Sequence, residues 1–269
     1  MKFKLNFIGL YVADFNRIYS FYTETLGIEL NLSVPGWASL KTSGMTFELF
    51  EHQAEPGSRN RSWGNGQAFR PGIQVTDLAA TISELEQKGV TFAGNIERKP
   101  WGRLREFITP DGIRWTLAEA PDYPANADLR VAHIGWVELK ANDLEAQKTF
   151  YGDLMGLTLA AADQTQMMFV QQLGEPLLFL EGGGQKTTPK PAPHHFEGQA
   201  GFLSFETEAI DEAASYILAQ GVLIVREVVQ HEWGGTDMLI ADADGNLVQI
   251  VQYNTGPYNE NWWQHEAVA

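Results

Sequence analysis

The chain repeats itself, and that constrains its fold more than any other feature. Phe21-Tyr22 returns as Phe150-Tyr151, 129 residues later. Gly89-Val90 returns as Gly221-Val222 and Trp101-Gly102 as Trp233-Gly234, both at 132, while Asp111-Gly112 returns in Asp244-Gly245 at 133. Ile8-Gly9 and Ile134-Gly135 lie 126 apart. Matches in the same order at a nearly constant offset indicate a duplicated half, with short insertions accounting for the drift. The join falls in the Pro- and Ala-containing stretch from Glu119 to Arg130.

Each half divides again. Asp14 opens a helical pattern that Gly27 closes, and Asp77 opens another that Gly89 closes. An Asp carboxylate accepts the orphan N–H groups of a first turn, and Gly suits the left-handed residue that follows a helix. Phe15, Ile18, Tyr22 and Leu26 share one helical face, as do Leu78, Ile82 and Leu85. In the second half Asp143 to Gly156 matches the first helix. A fourth runs through Ile210, Ala214, Ile217 and Leu218 to Gly221, with Ala209 in the cap position.

Strand patterns surround these helices. Phe7 to Val12 precedes the first, and Ile28 to Ser33, Trp37 to Lys41 and Met45 to Glu51 follow it. The last alternates Met45, Phe47 and Leu49 against Thr46, Glu48 and Phe50, a half-buried strand with a period of two. Asp111-Gly112 and Asp244-Gly245-Asn246 are turns feeding closing strands. The unit is strand, helix, three strands, occurring four times. Units are expected over residues 5–52, 68–120, 131–182 and 198–253, in domains 1–125 and 126–256, with a tail at 257–269. Gln53 to Gly66 and Gly182 to Gly198 read as connectors.

Composition narrows the function. With 19 basic and 34 acidic side chains the net charge is −15, which argues against nucleic acid and anionic membrane surfaces. There is no cysteine, so disulfides, thiolate metal sites and a Cys nucleophile are excluded. The first apolar stretch is too short for a signal peptide or a membrane span, so a cytoplasmic location is expected. No phosphate-binding loop and no Ser-His-Asp arrangement is visible. Six histidines leave little material for a metal site.

Gly9-Leu10-Tyr11-Val12-Ala13-Asp14, Phe21-Tyr22, Leu26-Gly27, Gly89-Val90, Trp101-Gly102 and Pro110-Asp111-Gly112 together resemble the vicinal oxygen chelate superfamily. That group comprises glyoxalase I, extradiol dioxygenases and bleomycin-resistance proteins. Trp136 to Leu139, Asp143, Phe150-Tyr151 and Gly156 resemble the second domain of its tandem members. The likeness spans about residues 5 to 253 and identifies no reaction. It implies an α+β fold: four βαβββ units forming two glyoxalase-like domains, with curved mixed sheets enclosing a cup. It also implies a metal held by His, Glu or Gln on each unit's first and closing strands, with open positions for two substrate oxygens.

Carried over residue by residue, the resemblance places Phe7, Arg70, His133 and Phe202 on the first strands. It places Glu48, Thr116, Phe179 and Gln249 on the closing strands. No pairing of units supplies three good ligands, so the expectation is a cup without the usual metal triad. Glu48 and His133 are then the candidate acid–base groups, and Phe7, Arg70, Trp101, Thr116, Phe202, Trp233 and Gln249 the candidate ligand contacts. If the register of the second half differs, His133, Glu181, Glu206 and Gln249 make an alternative set for Zn, Ni, Mn or Fe. A three-residue insertion before Asp143 bears directly on the placement of His133.

Each candidate has a plainer reading. Glu48 also suits a solvated strand, His133 a hydrogen-bonded structural histidine, and Arg70 a surface arginine. His194-His195 lies in a Pro-rich loop and reads as surface; His231 and Glu232, which adjoin Trp233, could present an acid–base pair, with a rim location as the preferred reading. Tyr258, Trp262 and Trp263 in the tail suggest packing onto the body or a partner. The preferred function is binding of a small organic ligand, by sequestration or with metal-free acid–base chemistry, in a monomer or homodimer. The alternatives are a metal-dependent lyase, isomerase or ring-cleaving dioxygenase, and a non-catalytic interaction subunit. Sequence leaves open whether the halves build separate cups or share them.

Overall fold

Among the described residues, three of the four α-helices start on the capping carboxylates identified above. In a computed structural model of the chain, residues 3–12, 14–51, 69–110, 112–122, 124–171, 177–184, 201–231 and 233–253 are described. Asp14, Asp77 and Asp143 accept from the backbone N–H of Arg17, Ala80 and Ala146, opening α1 (Phe15–Ser20), α2 (Leu78–Gln87) and α3 (Leu144–Lys148). The fourth, α4 (Ile210–Ala219), follows Ala209, whose own side chain supplies no cap bond. Gly27, Gly89, Gly156 and Gly221 all close their helices at positive φ, as the pattern predicts.

α1 and α3 do not stay α-helical. Each widens into a π-helical segment, Phe21–Thr25 and Thr149–Leu154, with bonds from Leu26 N to Phe21 O and from Met155 N to Phe150 O. The wider turns carry Tyr22 and Tyr151, both fully buried. Tyr22 packs on Phe47 and Trp115, and its hydroxyl accepts a 2.9 Å bond from Trp115 Nε1. Each large side chain removed from water here contributes roughly 1.5–3 kcal/mol.

Among the described residues the first unit contributes β1 (Lys4–Val12), β2 (Leu30–Val34), β3 (Trp37–Leu40), β4 (Thr42–Gly44) and β5 (Thr46–Glu51). The second contributes β6 (Phe69–Gln74), β7 (Thr91–Lys99), β8 (Gly102–Ile108) and β9 (Arg114–Glu119). The third contributes β10 (Ala132–Ala141), β11 (Thr158–Ala162), β12 (Gln166–Val170) and β13 (Leu177–Gly182). The fourth contributes β14 (Gly201–Glu206), β15 (Ile224–Gln230), β16 (Gly235–Ala241) and β17 (Leu247–Tyr253). The connector 53–66, most of the second connector and the tail lie outside the described residues.

The strands form two curved mixed sheets, and each takes one unit from each half. The 8-stranded sheet runs β15-β16-β17-β14-β1-β5-β3-β2, joining units four and one. The 9-stranded sheet runs β11-β12-β13-β10-β6-β9-β8-β7, joining units three and two, with β4 added beside β10. Antiparallel pairs β1/β14 and β10/β6 form the seams. The question left open by the sequence is thereby answered: each concave face is shared between halves.

Alternation decides which side chains line those faces. Along β1, Ile8, Leu10 and Val12 enter the main core with the helices, while Phe7 and Tyr11 point the other way and cluster with Phe202, Leu239 and Leu247. In the other sheet Ala118 and Trp136 form the matching cluster, with Leu104, Met168, Val170 and Phe179 against it. The sequence carries large apolar residues on both faces of its central strands because both faces are covered.

Candidate functional site: two unlike cups

In the 8-stranded sheet Phe7 lies opposite Ser204 across β1/β14, and Glu48 lies beside Gly9 across β1/β5. Ser204 in turn neighbours Gln249. Phe7, Glu48, Phe202 and Gln249, four positions carried over from the resemblance, therefore share one concave face. In the 9-stranded sheet Trp136 lies opposite Gly72 and Glu138 opposite Arg70, with Phe179 beside Glu138 and Thr116 beside Gly72. Arg70, Thr116 and Phe179 fall where expected.

His133 does not take the fourth position. Both first strands carry an irregularity, between Leu5 and Phe7 in β1 and between Ile134 and Trp136 in β10. Aligning the two irregularities sets Phe7 on Trp136 at an offset of 129, the offset that also relates Asp14 to Asp143 and Tyr22 to Tyr151. The match of Ile8-Gly9 to Ile134-Gly135 at 126 is a coincidence of composition. His133 instead opens β10 beside β4, 9 % exposed, with Nδ1 2.9 Å from Ser43 Oγ. Burial holds its basicity below the ordinary histidine value.

The cup of the 8-stranded sheet is aromatic. Phe202 packs on Phe7, Tyr11 and Phe50 with ring centroids 5.8, 5.3 and 5.6 Å away. Its ring covers Gly9, where a Cβ would come within 2.3 Å. Glu48 shares this face and has one hydrogen-bond partner among the described residues, Trp37 Nε1 at 3.1 Å, with no cation against it. Burial pushes its carboxyl up to about 7, and the Trp37 bond opposes that rise. Gln249 is already engaged, accepting from Ser204 Oγ at 2.9 Å and donating to Asp237. Asp237, 3 % exposed, also holds Arg226 and His231.

The cup of the 9-stranded sheet is ionic at one end. Arg70 bridges Glu106 and Glu138, with Glu181 3.8 Å from the same guanidinium and Lys140 bound to Glu181. Arg114 holds the second oxygen of Glu106 at 3.0 Å. Burial pushes the Glu138 carboxyl up, aided by Glu181 beside it and opposed by Arg70. Trp136 lies across Gly72, and the half-exposed Trp101 meets it edge-on at 6.2 Å. Trp233, the counterpart of Trp101, stacks on His231 and approaches Tyr253. Both repeated tryptophans thus sit beside their cups.

These donor sets do not fit a metal. At the positions carried over from the resemblance, one cup offers Glu48 and an engaged Gln249 beside two phenylalanines, and the other Trp136, Arg70, Phe179 and Thr116. The further carboxylates Asp237, Glu106, Glu138 and Glu181 are each paired with arginine. The alternative quartet is divided, His133 and Glu181 on the 9-stranded sheet and Glu206 and Gln249 on the 8-stranded one. Among the described residues no three His, Asp or Glu side chains group to hold an ion. His194, His195 and Glu232 lie outside the described residues. Sequence reasoning missed Trp136, Glu138 and the Arg226–Asp237 pair, and it paired His231 with Glu232 at the rim where the structure pairs it with Asp237. The recurring offset of 129 would have found Trp136, and strand alternation then puts Glu138 on the same face, whereas nothing local ties Arg226 to Asp237.

A groove of about 530 Å³ opens on the helix side, lined in part by Phe150, Leu154, Tyr216 and Val222. Its buried carboxyl, Asp242, accepts from Gln147, Tyr151, Asn246 and two backbone N–H groups, so it is a structural joint. No helix among the described residues is long and apolar enough to cross a membrane.

Four βαβββ units, paired across the halves around two concave faces, define a tandem protein of the cupped α+β class. The chain belongs to the Glyoxalase/Bleomycin resistance protein/Dioxygenase superfamily, whose family model matches residues 4–117 and 133–250. Glyoxalase I from Zea mays has a similar fold, with a TM-score of 0.71 at 18% identity, over 94% of this chain and 93% of that one. A putative dioxygenase from Bacillus subtilis gives 0.69 at 15% identity, over 97% and 88%. No curated protein is similar enough in sequence to count as a match.

Proposed function

We propose that the chain binds a small, largely apolar organic molecule in the cup of the 8-stranded sheet, without a metal ion, and that Glu48 is its central polar contact. The observation that carries this reading is the isolation of Glu48: a carboxyl on the face of Phe7, Phe50 and Phe202, bonded to a neutral indole and uncompensated by any cation among the described residues. A carboxyl in that setting donates a hydrogen bond to a ligand oxygen when protonated. When ionised, near neutral pH, it takes a proton. The aromatic rings supply apolar area and exclude water. Sequestration and metal-free proton transfer both follow from this arrangement.

The test combines metal analysis with ligand binding. Protein purified without chelator is expected to carry far less than one Zn, Ni, Mn or Fe per chain. Small aryl ketones are expected to raise its melting temperature, because a ligand that binds the native state stabilises it by about 2.7 kcal/mol at a hundredfold excess over Kd. Glu48→Gln should weaken that response. Stoichiometric metal lost on Glu48→Ala or His133→Ala would overturn the reading in favour of a metal-dependent lyase, isomerase or dioxygenase. Absence of any thermal response would favour an interaction subunit.

A further inference from the structure

The hairpin joining β15 to β16 folds His231 back onto Asp237. His231 Nε2 is 2.7 Å from Asp237 Oδ1, an oxygen that Arg226 also reaches, and Gln249 donates to Oδ2. The imidazole is fixed from its face as well: Trp233 stacks on it at 5.3 Å and 12°, and Trp233 is backed by Tyr253 at 6.1 Å. Nδ1 makes no hydrogen bond among the described residues, and the side chain is 26 % exposed. Asp237 projects from the same sheet face as Gln249 and Leu239, so the pair belongs to the cup that holds Glu48. Tyr11, on another wall of that cup, lies close enough to feel the charges of Arg226 and Asp237.

This arrangement has a chemical consequence. A carboxylate accepting from Nε2–H selects the tautomer whose lone pair is on Nδ1, and it stabilises the imidazolium formed when Nδ1 takes a proton. Ion pairing alone would not need the ring. Arg226 and Gln249 already satisfy Asp237, and a structural histidine gains nothing from a stacked, open nitrogen.

We infer that His231 is a proton-transfer group of this cup, with Asp237 as its positioning residue, acting on a neutral benzyl ketone or a related carbon acid held against the aromatic wall. This rests on the binding reading above. The C–H proton passes to Nδ1, the electron pair stays on the enolate, and the imidazolium returns a proton to carbon or oxygen. No oxidant, reductant or further reactant is consumed.

The probe is 1-phenylpropan-2-one, incubated with the full chain in D₂O while the benzylic protons are followed by ¹H NMR. Exchange is expected at least tenfold faster than in buffer alone. His231→Gln should reduce it about tenfold or more while the thermal shift caused by the same ketone persists. Asp237→Asn should also slow exchange, and ¹⁵N NMR should show the His231 tautomers redistributed, a readout that a purely structural Asp237 would leave unchanged. Exchange at the buffer rate, or wild-type exchange in His231→Gln, overturns the inference. If the ketone still shifts the melting temperature in that case, the binding reading stands and only the dyad falls. If neither shift nor exchange occurs, both fall.

Discussion

Trp37 Nε1 lies 3.1 Å from Glu48 and donates the one hydrogen bond that this carboxyl receives from the described residues. A neutral donor cannot offset the loss of water around a carboxylate, so Glu48 ionises near pH 7 instead of in the usual carboxylate range. Its folded-state value lies above its unfolded one. The stability it contributes is therefore fully present below about pH 4.5 and is lost as pH rises through about 7. Glu48→Gln should flatten that part of the stability–pH curve. Above pH 7 the variant should be more stable than wild type, by up to roughly 3 kcal/mol. Urea titrations at pH 5, 6, 7 and 8 measure this, and parallel curves for the two proteins would refute it.

Arg70 stands between Glu106 and Glu138, with side chains 20 to 21 % exposed at the first pair and 15 % at Glu138. Removing the guanidinium leaves partly buried carboxylates facing each other. Arg70→Ala should cost about 2–4 kcal/mol, near the lower part of the range for broken buried pairs because some solvent reaches them. Adding Glu138→Gln should restore a substantial part of the loss. A double-mutant cycle that is additive would show that the two groups do not interact.

Ala209 already has cap geometry, with φ −144° and ψ 84°, close to Asp77 at −141° and 98°. It lacks only the side-chain acceptor. Ala209→Asp should stabilise the protein by about 0.5–1 kcal/mol. The measurement is a shift of the denaturation midpoint at unchanged slope. An unchanged midpoint would mean that Thr207 Oγ1, which accepts from the Ala209 N–H, and Gln252, which accepts from Ile210, already cap this helix fully.

Gly72 supports the Trp136 ring so closely that a Cβ there would lie 2.0 Å from Cε2. Gly72→Ala should cost about 1–3 kcal/mol as an overpacked site and displace the ring toward Trp101. The displacement should appear as a change in tryptophan fluorescence of the native state. Wild-type stability and emission together would mean the ring moves freely.

The fold was legible because its signals are local and recur. Asp14, Asp77 and Asp143 cap at fixed spacing, Gly27 and Gly89 close their helices, and strand alternation separates Phe47 from Glu48. Register was less legible. Two alignments of the first strands compete, and the one that places Trp136 over Gly72 depends on a bulge at Asn6 and Gly135 that leaves no mark in the hydrophobic pattern. Pairing of units across the halves was hidden for a similar reason. β1 and β10 are apolar on both faces, and nothing in such a strand names its neighbour. The ionic cluster joins Arg70, Glu106 and Glu138 from three strands, so no local motif announces it.

The seam between β1 and β14 sets the order in which the molecule can be completed. A ribosome releases β1 (Lys4–Val12) long before β14 (Gly201–Glu206), on the order of 10–40 s at ordinary rates of synthesis. Through that interval β1 has an unpaired edge. The β6/β10 seam closes earlier, so the 9-stranded sheet is the one able to assemble while the other waits. Severing the chain between its halves would leave both seams without a partner strand, and two such fragments would regain their sheets only by finding each other. Duplication here has produced halves that repeat in sequence yet depend on one another to complete their sheets.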